Sequence, residues 1–259
     1  MLSPTIKQRV RESFDRAATT YNGAAILQRH VCDQLLAGLS GIFAAPPPSA
    51  VLDAGCGTGY GARQIRTTWP NTRITGVDFA PAMLDLARFE TDACQVADIE
   101  SLPFGNERFD LWWSSLSIQW CDPTIVFTEA FRVLSPRGRL AVSTLGPDTF
   151  HELRTAFHGV DTHRHTLEFD TPESIRTALV QAGFATTDIR REHKAIYYPD
   201  LKTLLRAVKD IGAHNVGDGG RSGMMGRSAW KQIEAAYERF RTPEGLPASY
   251  DIIYAYASK

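Results

Sequence analysis

A chain of 259 residues, 43% of them hydrophobic, is long enough for one α/β domain with insertions and a sizeable core. Its formal charge of −1 at pH 7 argues against a nucleic-acid binder, which would carry a strongly basic balance. The four cysteines, Cys32, Cys56, Cys94 and Cys121, form no C-x-x-C pair, and no run approaches the ~18 apolar residues of a membrane span. A zinc site, a disulfide framework and a membrane partner are therefore not expected, and the protein should be soluble and cytoplasmic.

In chain order, Ile6, Val10, Phe14 and Ala17 recur at helical spacing over Ile6 to Ala18, and a second helix is expected over Ala24 to Leu39. Ala44 to Pro48 then reads as a stiff connector, because consecutive prolines fix φ and forbid helix. Strands and helices alternate beyond it: strand Ala50 to Asp53, helix Ala62 to Trp69, strand Arg73 to Asp78, helix Pro81 to Phe89, strands Ala93 to Ala97 and Phe109 to Ser114, helix Pro123 to Leu134 and strand Arg139 to Leu145. The turn Ser135 to Gly138 should stop the last helix before its strand. This alternation predicts βαβ units in a doubly wound, parallel α/β sheet.

After Leu145 the pattern loosens into an inserted helix with loops over Gly146 to Glu168, a helix capped by Thr171 and running to Ala182, and a strand over Thr186 to Tyr197. A second insertion, Asp200 to Thr242, holds two helical stretches around the glycine-rich Gly217 to Gly226, before a closing strand over Ser249 to Ala257. The chain thus reads as a single domain: a helical cap over 1–45, a core over 46–145 and a second sheet half over 146–259, with lid insertions at about 146–170 and 199–243. Insertions between the last strands stand over the carboxyl strand ends, where open α/β sheets bind ligands.

The densest signal is Val51-Leu52-Asp53-Ala54-Gly55-Cys56-Gly57-Thr58-Gly59-Tyr60, followed by a second acid, Asp78. Glycines at 55, 57 and 59 let the backbone turn tightly and approach a ligand. The spacing is G-x-G-x-G rather than G-x-G-x-x-G, with Tyr60 where a dinucleotide fingerprint needs glycine. Asp53 would repel a pyrophosphate but support the cationic amino acid end of S-adenosylmethionine, directly or through water. The charge therefore favours the sulfonium cofactor over a nicotinamide dinucleotide.

Asp78, before Phe79, is placed to accept two hydrogen bonds from a ribose diol, or to cap the helix starting at Pro81; both can hold at once. Asp98 suits the adenine edge with Ile99 packing beside it, and a plain Asx-turn is the alternative. Ser114, Ser115 and Leu116 close the fourth core strand under the cofactor, with Gln119 and Trp120 near the transferred group; a core tryptophan and an exposed glutamine are the competing reading. Met83 reads more as packing than as specific recognition.

Taken together, Asp53 to Tyr60, Asp78, Asp98 and Ser114 resemble the class I S-adenosylmethionine-dependent methyltransferases over about Ala50 to Leu145. That resemblance implies a Rossmann-like, seven-stranded, doubly wound sheet, S-adenosyl-L-methionine as cofactor, S-adenosyl-L-homocysteine as product, and no metal. The flanks narrow it: Phe14 to Tyr21, Leu116 to Trp120, Ser143 to Thr149, Glu152 to Arg154 and Lys209 to Asn215 together resemble the malonyl-acyl-carrier-protein O-methyltransferases of biotin synthesis, over nearly the whole chain.

What this implies is methylation of the free carboxylate of a malonyl thioester, borne by acyl carrier protein or coenzyme A. Such a carboxylate is anionic at pH 7 and needs no general base, so catalysis should be positioning and exclusion of water. Arg154 is the leading candidate for a fork on the carboxylate, with a solvated arginine on a helix face as the competing and favoured reading, and Tyr21 is expected to close over the cofactor or donate to the substrate, or else to pack at the end of the first helix. His214 and Asn215 are expected lid contacts. Between Arg190 and Lys231 nine basic residues, Arg206 and Lys209 among them, face four acidic ones, which suits docking of an acidic carrier protein. Two other readings stay open: a class I methyltransferase for another small acid or a quinone-like ring, and a non-catalytic assembly module that keeps the fold.

Overall fold

The computed structural model describes residues 4–42, 46–160, 165–212 and 226–259. The expected contacts His214 and Asn215, and all of the glycine-rich stretch except Gly226, lie outside them. Helices α1 (Pro4–Ala24) and α2 (Ile26–Ile42) precede β1 (Ala50–Ala54), α3 (Tyr60–Thr68), β2 (Arg73–Asp78), α4 (Pro81–Ala87), β3 (Ala93–Val96) and β4 (Phe109–Ser115). A short 3₁₀ turn, Ile118–Trp120, leads into α5 (Pro123–Val133), β5 (Leu134–Leu145), α6 (His151–Phe157), α7 (Pro172–Ala182), β6 (Thr186–Tyr198), α8 (Leu201–Asp210), α9 (Arg227–Tyr237) and β7 (Leu246–Ser258).

The seven strands form one sheet in the order β3-β2-β1-β4-β5-β7-β6, a doubly wound arrangement of the kind that the alternation predicts, with one correction. The closing strand β7 runs antiparallel to both of its neighbours, so the sheet is mixed rather than parallel. Strand periodicity records which face a side chain takes, not which way the strand runs. The turn expected at Ser135 to Gly138 is instead a bulge inside β5: Leu134 already pairs with Phe109, the register shifts before Leu111 pairs with Arg139, and Arg137 takes φ 65°. Such an irregularity absorbs the three extra residues of β5 without ending the strand.

Adjacent tryptophans on β4 show how the sheet fills both of its faces. Successive strand side chains point to opposite sides, so Trp112 belongs to the core cluster that also holds Phe127 of α5 and Leu179 of α7, while Trp113 belongs to the one that also holds Leu35 of α2 and Tyr237 of α9. Both indoles are fully buried. Each removes about 200 Å² from water, worth about 5 kcal/mol as an upper bound.

The cap helix α1 buries Ile6, Val10, Ala17 and Ala18 along one stripe. The connector before β1 is pinned at both ends of its proline run, since Arg139 donates to the Pro46 carbonyl at 2.9 Å and Thr72 to that of Pro48 at 2.6 Å. Strand order reverses between β1 and β4, which opens a crevice at their carboxyl ends, the place where a doubly wound sheet takes ligands. Among the described residues no helix is long and apolar enough to cross a membrane.

Candidate active site

The glycine turn lies at that crevice, and its three glycines serve three purposes. Gly55 and Gly57 have φ of 75° and 53°, in the left-handed region that favours glycine. A Cβ on Gly55 would collide with the Ser117 side chain, whose hydroxyl donates to the Gly55 carbonyl at 3.0 Å, whereas one on Gly57 would meet nothing within 4 Å. The Gly57 backbone thus borders open space. Gly59 corrects the expectation: it does not line the cavity but starts α3 with φ 87° and lets Ala87 and Glu90 approach to 3.0 Å of where its Cβ would be.

The cavity holds about 1090 Å³ of empty space, part of it open to solvent, and is bordered by the glycine turn, Asp53, Asp78 and the loop after β4. Asp53 is buried, and its Oδ2 has no hydrogen-bond partner among the described residues. Burial raises its carboxyl to about 7, helped by the charge of Asp78 and opposed by a hydrogen bond from the Ala62 backbone. Asp78 accepts from the Gly57 and Ala80 amides, each at 2.9 Å, and burial still raises it to about 6. These bonds fasten β2 to the glycine turn and leave each oxygen a second lone pair for a ligand hydroxyl. An unpaired buried carboxylate wants a cation, which fits the ammonium end of S-adenosylmethionine.

At the other end, Phe79, Met83, Asp98 and Ile99 line the same cavity. Asp98 forms the Asx-turn, accepting from the Glu100 amide at 3.0 Å, and its Oδ2 meets Lys7 Nζ at 2.6 Å. Tyr21 borders this cavity as expected, but sequence reasoning missed how much of α1 joins it: Lys7, Phe14 and Asn22 border it too. Asp15 accepts from the Ala82 amide at 2.9 Å, and Thr58 donates to Asn22 Oδ1 at 2.6 Å. The polar residues among α1's apolar ones were the signal available.

Of the fourth-strand residues, Ser115 and Leu116 border the cavity, whereas Ser114 is a correction: it is fully buried, donates to the Ala54 carbonyl at 2.7 Å, and ties β4 to β1. Cys56 also lines the cavity, and burial pushes its thiol well up. Leu116 takes φ 50°, a strained conformation held by hydrogen bonds from its amide to Ser143.

A second chamber, with about 1150 Å³ of empty space, part of it open to solvent, adjoins the first, and Phe14, Tyr21, Gln28, Leu116 and Trp120 border both. Residues from the first insertion, from α8 and from β7, such as Phe150, Val208 and Tyr250, complete its largely apolar lining. Lys209 is the one lysine or arginine among the described residues lining it. Tyr21 is half-buried, with burial and the Asp78 charge holding its phenol protonated. Gln119 borders only the second chamber; its amide donates to the Leu116 carbonyl at 2.7 Å, leaving Oε1 buried and unpartnered among the described residues.

Arg154 departs from expectation. Its guanidinium donates to the backbone carbonyls of Thr149 and Pro147, and it lines neither chamber. The fork that suits a carboxylate here holds a loop. The basic excess also shrinks on folding, because Arg190 pairs with Asp188 and Arg191 with Asp251 and Asp148. On α8, Lys202, Arg206 and Lys209 remain exposed while Leu201 and Leu204 are buried.

Residues 52–142 match the methyltransferase domain family. A malonyl-[acyl-carrier protein] O-methyltransferase of Dechloromonas aromatica is 49% identical over 254 residues, covering 98% of this chain and 95% of that protein. The chain belongs to the malonyl-[acyl-carrier protein] O-methyltransferase family. A biotin biosynthesis bifunctional protein of Teredinibacter turnerae, 38% identical over 268 residues, matches 98% of this chain with 47% of its own length, so this family also occurs as part of a longer protein. The fold of the family is that of class I methyltransferases: the crystal structure of a SAM-dependent methyltransferase of Thermotoga maritima, described as a possible histamine N-methyltransferase, has a TM-score of 0.56 at 17% identity, covering 96% of this chain and 99% of that one.

Proposed function

We propose that this chain transfers a methyl group from S-adenosylmethionine to the free carboxylate of a malonyl thioester on acyl carrier protein, giving the methyl ester that opens pimeloyl synthesis for biotin. Beside family membership, the observation that carries this is the second chamber: largely apolar, sharing a wall with the first, and bordered by Lys209. When bound, S-adenosylmethionine supplies an electrophilic methyl group on sulfur. Asp53 would hold its ammonium end, Asp78 its ribose, and Asp98 with Ile99 its adenine.

The chain's own task is then to hold a carboxylate oxygen at the wall and keep water away. The acceptor is already an anion at pH 7, so no residue need remove a proton. Phe14 and Trp120 meet edge to face, with centroids 5.8 Å apart, and with Leu116 supply an apolar rim. Tyr21 presents a protonated phenol there, which donates to the carboxylate without neutralising it. Lys209 supplies the long-range attraction. An acidic carrier protein would dock on the Lys202 and Arg206 face of α8, with its prosthetic arm entering beside Lys209.

The test is transfer of label from methyl-labelled S-adenosylmethionine to malonyl carrier protein, with succinyl and acetyl carriers as controls. A malonyl-dependent, base-labile methyl ester is the expected product. Measurable S-adenosylhomocysteine binding with no transfer would move the assignment to another acceptor or to the non-catalytic module.

A further inference from the structure

The wall between the chambers contains a residue that neither its sequence pattern nor its relatives' names single out. Gln28, in the first turn of α2, borders both cavities and is half-buried, yet its carboxamide has no hydrogen-bond partner among the described residues. Its neighbours on either side in the chain are committed: Leu27 is buried in the core, and Arg29 donates to the Asn22 carbonyl at 2.6 Å. Trp120, which borders the same wall, is 6% exposed, and its Nε1–H is buried with no partner among the described residues. A buried donor left unpaired is unfavourable by about 1–3 kcal/mol, so the Trp120 N–H calls for a ligand acceptor, and the half-buried Gln28 carboxamide at the same wall is free to supply a second donor to it.

We propose that Gln28 is a substrate-positioning residue whose amide N–H, together with the Trp120 indole N–H, receives the acceptor carboxylate at the wall between the two chambers. This deepens the functional reading above and rests on it. Both groups are neutral, which matters for an anion that must act as a nucleophile: an abutting guanidinium would draw off the electron density that forms the new bond, whereas neutral donors orient the oxygen and leave its charge largely in place. Gln119 cannot take the same part. It borders only the second chamber, one of its two amide N–H groups is already committed to the Leu116 carbonyl, and its buried Oε1 would repel a carboxylate. Lys209, exposed on α8, attracts the anion without having to touch the reacting oxygen.

The experiment compares wild type, Gln28→Glu and Gln28→Met with malonyl carrier protein as substrate at pH 6 and pH 8, alongside S-adenosylhomocysteine affinity by calorimetry. Gln28→Met, which loses the donor at similar volume, should raise KM roughly tenfold, the loss of one hydrogen bond to a charged group, with S-adenosylhomocysteine affinity within about twofold of wild type. Gln28→Glu should raise KM further at pH 8, and its ratio to the wild-type KM should narrow at pH 6, where the new carboxyl begins to take a proton. A purely structural role would not produce that pH dependence. Unchanged KM in both variants, or an equal loss of S-adenosylhomocysteine affinity, overturns the assignment of Gln28 while wild-type turnover leaves the parent reading standing. Absence of malonyl methylation by the wild type overturns both.

Discussion

Lys7 Nζ lies 2.6 Å from Asp98 Oδ2, with Glu100 Oε2 at 2.5 Å, so a lysine from the start of the chain is clamped to the loop expected to hold the adenine. Glu100 extends the clamp, accepting from the Asp122 amide at 2.6 Å through its other oxygen. Together with the Asp15 to Ala82 and Thr58 to Asn22 bonds, this fixes α1 at three points over the cofactor cavity.

A lid latched in this way should control ligand exit. Lys7→Met removes a partly buried charged pair worth about 1 kcal/mol, so S-adenosylhomocysteine should leave roughly fivefold faster with little change in its association rate. Stopped-flow release is the measurement. An unaltered dissociation rate would mean that α1 does not gate the cavity.

Asp53 links cofactor binding to pH. Its carboxyl, raised to about 7, must be ionised to receive an ammonium group, so S-adenosylmethionine affinity should rise between pH 6 and pH 8 with release of protons. Calorimetry in buffers of different ionisation enthalpy detects that release. For the ligand-free protein the sign is opposite. A folded pKa above the unfolded one favours folding at low pH, and that contribution is lost as pH rises from about 4 to about 7. Asp53→Asn should therefore raise the ligand-free Tm at pH 8 by a few degrees while sharply weakening S-adenosylmethionine binding. A lower Tm in Asp53→Asn would refute the idea of an unpaired buried charge.

Gly61 tests how closely that carboxylate is packed. A Cβ there would lie 3.1 Å from Asp53 Oδ2 and 2.9 Å from Trp113 Nε1, and Trp113 is fully buried. Gly61→Ala gains about 1 kcal/mol in helix propensity but meets an overpacking penalty of about 1–3 kcal/mol. The expected net result is unchanged or lower Tm and at least fivefold weaker S-adenosylmethionine binding, because Asp53 must move. A more stable variant with full affinity would contradict this packing.

Arg154 and Lys209 should separate by kinetics. Arg154→Ala frees the Pro147 and Thr149 carbonyls and should lower Tm, whereas Lys209→Ala should leave Tm alone and raise KM for the malonyl thioester several-fold. Both are compared at a temperature where each is folded. A larger loss of kcat/KM in Arg154→Ala than in Lys209→Ala would return the carboxylate to Arg154.

The sequence by itself determined the glycine-turn half of the candidate site. The glycine turn, Asp53, Asp78 and Asp98 each sit at or just beyond the carboxyl end of a core strand, and strand endings are written in local spacing and hydrophobic runs, which a reader of the chain can follow. The α/β class and most element boundaries followed for the same reason. The tertiary structure alone decided the direction of β7, the contacts of Lys7, Phe14 and Asn22 of α1 with the cavity, and the second chamber, whose wall joins Phe14, Gln28 and Trp120 from three separate segments. Arg154 and Ser114 show why such features escape sequence reading. Both residue types suited the expected chemistry, but which partner a side chain meets depends on the packing of distant elements, and here the nearest partners were the backbone carbonyls of Thr149, Pro147 and Ala54.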